Sequence, residues 1–270
     1  MSEEISITRQ NVPTQKPTQP TFPTEIIDLP SQGHFYPPTS KLSSGHIEVK
    51  LMTAREEDIL SSPNLLKKGL AIEKLLESLV VDKDINLDEL LIGDKNALIY
   101  SVRRLAYGDS YGPLEITCPK CTNSTKQNID LSEIKYKDVE FDKLPKGVNE
   151  FEYVLPTSKI TIRFRLLTAG DEKQIERDIE GFAKIKKDSS SEITTRLKYM
   201  IISVNGETDK AKVKSFIDNQ LLARDSSAFR QYAKSFSPDV DSRFEFNCPE
   251  CSNQERVAVP MTVSFFWPNS

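Results

Sequence analysis

The sequence predicts an α+β protein, read as a tandem duplication of one strand–helices–strand unit closed by a four-cysteine, zinc-ribbon-like site. Three observations carry this. Stretches that alternate polar and apolar residues separate longer stretches of helical periodicity. The quartet Leu51-Met52-Thr53-Ala54 returns as Leu166-Leu167-Thr168-Ala169. All four cysteines fall in two matching hexapeptides. Apolar residues make up 37% of the chain and charged residues 28%, a globular balance leaning polar. Lys and Arg number 36 against 40 Asp and Glu, a net charge of −4 that argues against a protein built mainly to neutralise phosphate. No apolar run approaches the roughly 20 residues of a membrane-spanning helix. The start, MSEEISITRQ, lacks the basic and apolar stretches of a signal peptide, so a reducing cytoplasm is the expected setting. Only two histidines, His34 and His46, are present, which leaves acid–base chemistry few carriers; a non-enzyme is expected.

Residues 1–25, rich in Thr, Pro and Gln, have little to bury and read as a flexible tail. Two units follow, 26–140 and 141–270. In the first, Asp28–Pro38 carries three prolines, a glycine and the adjacent Phe35 and Tyr36, an irregular path with large aromatic area. His46–Met52 alternates as a half-buried strand. Thr53 and Glu56 fit a capping box that opens a short helix to about Ser61. Leucines at three-to-four spacing predict one amphipathic helix over Asn64–Val81. Asp94 is a candidate cap for a helix over Lys95–Tyr107 with Leu98, Ile99, Val102 and Leu105 inward. Gly108 and Gly112 bracket a turn before a strand at Leu114–Thr117.

The second unit repeats this order. Ile160–Leu166 alternates as a strand. Helices are expected from Asp171 to about Ile185, over Thr194–Val204 with a stop at Asn205-Gly206, over about Lys210–Leu222, and across Ser226–Ala233. A strand at Arg243–Phe246 leads into the second cysteine pair. The second copy is the longer, and the Lys/Ser-rich stretch around 184–191 takes part of the excess.

Cys118-Pro119-Lys120-Cys121-Thr122-Asn123 and Cys248-Pro249-Glu250-Cys251-Ser252-Asn253 each follow a strand and precede a polar turn. A CPxC on a tight turn aims both thiolates at one metal, and two such knuckles fill a closed tetrahedral zinc site. Cys118, Cys121, Cys248 and Cys251 are therefore the candidate ligands, of a structural and not a catalytic ion. Free thiols, disulfides and a redox pair compete. Two identical frames disfavour the first, a reducing compartment the second. A redox pair wants its first Cys at a helix N-terminus, which Thr122–Gln127 does not open.

No phosphate loop, dinucleotide fingerprint, HExxH or GxSxG occurs. The carboxylate-rich segments read as solvated helix starts and loops. Basic runs at Lys184–Lys187 and Lys210–Lys214 fit either nucleic acid or an amphipathic helix face, and the acidic total weakens the former. Phe265, Phe266 and Trp267 suit a last strand packed on the core or an anchor for a partner.

The segment Leu29-Pro-Ser-x-Gly-x-Phe-Tyr-Pro37, the turn Met52-Thr-Ala-x-Glu-Glu-Asp58, a Leu-rich helix, Arg103 or Arg104 near Tyr107-Gly108 and a CPxC together resemble the baseplate hub and hub-assembly proteins of T-even-type contractile-tailed phages. The likeness is best over residues 26–135. It implies a structural or assembly role without chemistry, made in the host cytoplasm and located in the virion tail. Other baseplate and tail proteins would be the partners, copies of the chain among them, with Phe35, Tyr36, Phe265, Phe266 and Trp267 as candidate contacts. The runner-up is a zinc-ribbon nucleic-acid-binding factor; a thiol oxidoreductase is third.

Overall fold

The structure, a computed structural model, describes residues 23–185, 191–261 and 263–266. Most of the expected tail, the centre of the Lys/Ser-rich stretch and Trp267 lie outside these residues.

Strand β1 (Thr24–Asp28) begins inside the segment read as tail and pairs antiparallel with β2 (His46–Lys50), the buried Ile27 facing the buried Ile47. The loop between them turns at Gly33, where φ is +73° and a Cβ would lie 2.4 Å from the Ser43 carbonyl oxygen. Helix α1 (Ala54–Ser61) opens as expected: Glu56 accepts from the Thr53 N–H at 3.0 Å and from its hydroxyl at 2.6 Å. The single helix expected over Asn64–Val81 is instead two, α2 (Pro63–Lys67) and α3 (Ala71–Leu79). Gly69 breaks it with φ +68°, and the Leu70 N–H bonds to Leu65 O. Helix α4 runs Ile92–Tyr107. Asp94 is therefore not its cap but a buried residue of its first turn, and Leu105, expected inward, is exposed.

A hairpin of β3 (Ser110–Thr117) and β4 (Ser124–Asp130) completes the first half, with β3 starting four residues earlier than expected. Strand β5 (Lys135–Tyr136) pairs with β9 (Val240–Asp241), joining the halves. Next, β6 (Phe151–Val154), β7 (Thr161–Phe164) and β8 (Ile201–Val204) form an antiparallel sheet in that order. Helices α5 (Ala169–Ile185) and α6 (Glu192–Met200) lie between β7 and β8. The helix expected across Thr194–Val204 thus stops at Met200. The run Ile201-Ile202-Ser203-Val204 prefers the pleated surface beside β7, where Ile162 is fully buried. Helices α7 (Lys210–Asn219) and α8 (Ala223–Phe236) lead to the hairpin β10 (Arg243–Asn247) with β11 (Gln254–Ala258). The C-terminal stretch is a short 3-10 turn, Val263–Phe266, where a strand was expected.

One hydrophobic cluster draws on both halves. Phe35 meets Phe151 edge-on at 5.4 Å, and Phe151 continues to Phe164 and Phe236 at 5.4 and 4.8 Å. The expectation that Phe35, Tyr36, Phe265 and Phe266 contact partners is thereby corrected: all four are buried, at 1, 6, 0 and 0% exposure, because each fills the protein's own core. Burial of this kind contributes about 2 kcal/mol per side chain.

The seam between the halves is the first turn of α4. Asp94 accepts from Ser31 N–H (2.9 Å), Ser31 Oγ (2.6 Å) and Tyr36 OH (2.5 Å), while the Tyr36 oxygen accepts from Leu91 N–H (2.8 Å). From the other half, Leu167 O accepts from Ile92 N–H and Ala169 N–H donates to Leu90 O. At the other end of α4, Arg103 is buried and donates to the carbonyls of Phe265 (2.8 Å), Gly108 (3.1 Å) and Ser110 (3.2 Å). Its guanidinium also lies 5.1, 5.7 and 5.9 Å from the ring centroids of Tyr107, Tyr111 and Phe265.

At Gly93 a Cβ would lie 1.9 Å from the Pro238 carbonyl oxygen, whereas at the exposed Gly181 it meets nothing within 4 Å. Gly93→Ala should cost about 2 kcal/mol or more, and Gly181→Ala should gain about 1 kcal/mol of helix propensity; equal melting temperatures for the two variants would contradict the seam. Burial alone would raise the Glu56 carboxyl, but hydrogen bonds from Lys50, Thr53 and Ser78 outweigh it and hold the group down at about 2. A carboxylate held below its unfolded value of 4.5 stabilises the fold at neutral pH, and that contribution fades as pH falls from about 4.5 to about 2. Glu56→Gln should cost on the order of 2 kcal/mol at pH 7 and close the gap to wild type near pH 2; a gap unchanged with pH in denaturant titrations would contradict this.

Candidate metal centre

The two knuckles share one backbone geometry. In the first, Cys118 N–H donates to Asn123 O at 2.9 Å and Thr122 N–H to Cys118 O at 2.8 Å; in the second, Cys248 N–H donates to Asn253 O and Ser252 N–H to Cys248 O, both at 2.9 Å. Thr122 and Ser252, the equivalent positions, both take a left-handed φ, +60° and +52°. Each hexapeptide closes its hairpin in the same register, Thr117 opposite Ser124 and Asn247 opposite Gln254. The chain leaves both knuckles as strand, not helix, so neither pair has the helix N-terminus that activates a redox thiol.

The hairpins meet across a small apolar cluster of their own. Ile116 and Phe246 are buried beneath Cys118 and Cys248, with Leu114, Phe244 and Val257 around them. This brings all four Sγ atoms within 4.8 Å of one another, Cys118 to Cys251 at 3.7 Å and Cys121 to Cys248 at 3.6 Å. No pair is bonded as a disulfide. A tetrahedral ion with metal–sulfur bonds of about 2.3 Å separates its ligands by about 3.8 Å, so the cluster has the dimensions of a four-thiolate site suited to zinc or a single iron. With Cys118 and Cys248 at 0 and 2% exposure and all four positions filled by sulfur, such a site offers no vertex to a substrate.

The electrostatics point the same way. Backbone N–H groups of Cys121 and Lys120 donate to the Cys118 sulfur and pull its thiol down to about 7. The Asn123 N–H favours the Cys121 thiolate, yet burial and the three neighbouring sulfurs push that thiol up to about 12; Cys251, on the Asn253 N–H, is also raised. A divalent cation would remove the repulsion that raises the Cys121 and Cys251 thiols.

The structure brings the four predicted cysteines together; Phe35, Tyr36, Phe265 and Phe266 are core residues, and Trp267 lies outside the described residues. The sequence reading missed Asp94 with Ser31 and Tyr36, and Arg103 with Phe265, because those partners lie 63, 58 and 162 residues apart. It also missed a repeated ion pair. Lys50 bonds Glu56 at 2.7 Å around Thr53, and Arg165 clamps Asp171 at 2.6 and 2.7 Å around Thr168. The signal was legible: a cation three residues before each Thr, a carboxylate three after.

Among the described residues no helix is long and apolar enough to cross a membrane. Comparison with curated proteins and with solved structures returns no match. A family model described as T4 bacteriophage base plate protein matches residues 34–267, a span that takes in both knuckles, the α4 seam and the buried Phe265-Phe266. The chain belongs to the T4 bacteriophage base plate protein family.

Proposed function

We propose that this protein is a structural or assembly component of the hub region of a contractile-tail baseplate, held together by one structural zinc ion and working by contact and not by turnover. The family match over most of the chain carries the baseplate role. The sulfur separations, close to those of a tetrahedral site, and the N–H donors aimed at the thiolates support zinc. Other tail proteins, copies of this chain among them, are its partners, and it folds in the host cytoplasm before joining the virion tail. The two units at 26–140 and 141–270 are read as copies of one ancestor. The repeated knuckles support this, as do the equivalent Lys50–Thr53–Glu56 and Arg165–Thr168–Asp171 joints. A role on nucleic acid gains nothing: the exposed faces of the knuckle hairpins carry Glu115, Asp130, Glu245, Glu250 and Glu255 against Lys120, Lys126, Arg243 and Arg256, leaving no net positive charge.

Metal analysis of the purified chain should give near one zinc per chain, with X-ray absorption reporting four sulfur neighbours at about 2.3 Å. Cys118→Ser and Cys251→Ser should each lose the ion and lower stability by several kcal/mol; full stability in the metal-free variants would dismiss a structural ion. A map of the phage tail with this chain traced near the tail axis, or its co-purification with hub intermediates, tests the role. Absence from both would overturn it.

A further inference from the structure

The four sulfurs are not equivalent, and their differences define two couples. Cys118 and Cys248, the first cysteine of each knuckle, are buried, whereas Cys121 and Cys251, the second, are only partly covered. The contacts of 3.6 and 3.7 Å cross between the hairpins and join unlike members. Buried Cys248 lies against partly exposed Cys121, and buried Cys118 against partly exposed Cys251. Within a knuckle the sulfurs are held by backbone: the Lys120 and Cys121 N–H groups on Cys118, and the Asn123 and Asn253 N–H groups on Cys121 and Cys251. The members of the couples are 127 and 133 residues apart in the chain, one in either half. An accessible thiol backed by a second one at contact distance is the arrangement that peroxide converts to a disulfide.

We propose that peroxide converts the cluster into two disulfides between the hairpins, Cys121–Cys248 and Cys118–Cys251, so that a covalent link takes over from the metal link between the halves. The Cys121 thiolate attacks one oxygen of hydrogen peroxide. The O–O bond breaks, the sulfur becomes a sulfenic acid, and the departing hydroxide takes up a proton from solvent as water. The Cys248 thiolate then attacks the sulfenic sulfur, the S–S bond forms as the S–O bond breaks, and a second hydroxide leaves and is protonated. Two thiolates have lost two electrons, and one peroxide has become two waters. The same sequence at Cys251 and Cys118 uses a second peroxide. Closing a 3.6 Å contact to a bond of about 2.05 Å asks for a displacement of about 1.6 Å, which side-chain rotation supplies. A disulfide sulfur is no longer a thiolate donor, so the divalent ion is released. This is a single closing event and not turnover, as befits knuckles that strands leave on the C-terminal side. Such a use of the site rests on the four-thiolate reading above. It suits a baseplate chain that folds in a reducing cytoplasm and then stands in an oxidising medium.

The test exposes the purified full-length, zinc-loaded chain to a small excess of hydrogen peroxide, blocks the remaining thiols by alkylation and maps the disulfides by mass spectrometry. Lys120 stands between Cys118 and Cys121, and Glu250 between Cys248 and Cys251, so trypsin with a glutamate-specific protease puts each cysteine on its own peptide. The linked peptides should be those of Cys121 with Cys248 and of Cys118 with Cys251. All four free thiols should be lost together with the bound zinc, read by a chromophoric chelator. The oxidised chain should melt about 10 °C above the reduced chain stripped of metal, because each link closes a long loop. Disulfides within a knuckle, between copies, or pairing Cys118 with Cys248, would each overturn the proposal, as would sulfinic acids without disulfides or thiols that do not react. Zinc content and place in the tail are measured on the reduced chain, so those outcomes leave the structural ion and the baseplate role standing. A reduced chain without zinc would instead strike the ion, and the same mapping would still decide the couples.

Discussion

Both halves of the chain close over the first turn of α4, and the rest of the architecture follows from that closure. A carboxylate inside a helix's opening turn is ordinarily a solvated partner of the macrodipole. Asp94 is instead buried, and burial pushes its carboxyl above the ordinary range against the hydrogen bonds of Ser31 and Tyr36. The loop that carries Phe35 is thus pinned to α4, and Phe35 in turn meets Phe151 of the second half. One residue earlier, Gly93 lets the 238–239 backbone approach to a distance no side chain would allow. A polar anchor on one side and a missing Cβ on the other therefore bring both halves of the chain onto one helix turn.

With that position set, the two knuckle hairpins face each other as a consequence. Each is short, and a two-stranded hairpin is marginal by itself. Their own apolar contact is confined to a few side chains around Ile116 and Phe246. The ion proposed for the four sulfurs would add cohesion where the hydrophobic area is too small to supply it. The division of labour is physical: the main core holds the halves together, and the four sulfurs lie together at the tips of the hairpins.

Local chemistry was legible in the sequence and long-range choice was not. The capping residues Thr53 and Glu56 and the two CPxC frames act within a few residues, so their pattern is complete in the primary structure. The break at Gly69 and the strand at Ile201–Val204 were missed for a different reason. Leucine spacing runs on through a glycine without a gap, and a β-branched run ending a helix satisfies either period until β7 is there to receive it. The aromatic residues at 35–36 and 265–266 show the limit most plainly. A ring that packs inside and one that waits for a partner have the same composition, and only the fold decides between them.

The position of Arg103 has a consequence for biosynthesis. Its guanidinium takes one of its three carbonyls from Phe265, and the Phe265 ring completes the contacts of Tyr100 and Tyr111 at 5.8 and 5.0 Å. Those three residues of the first half are synthesised long before their last neighbour. While the ribosome is still translating, a buried cation and two aromatic faces stay open to water. Only the segment that carries Phe265 seals them, so a chain that stops short of it lacks the plug.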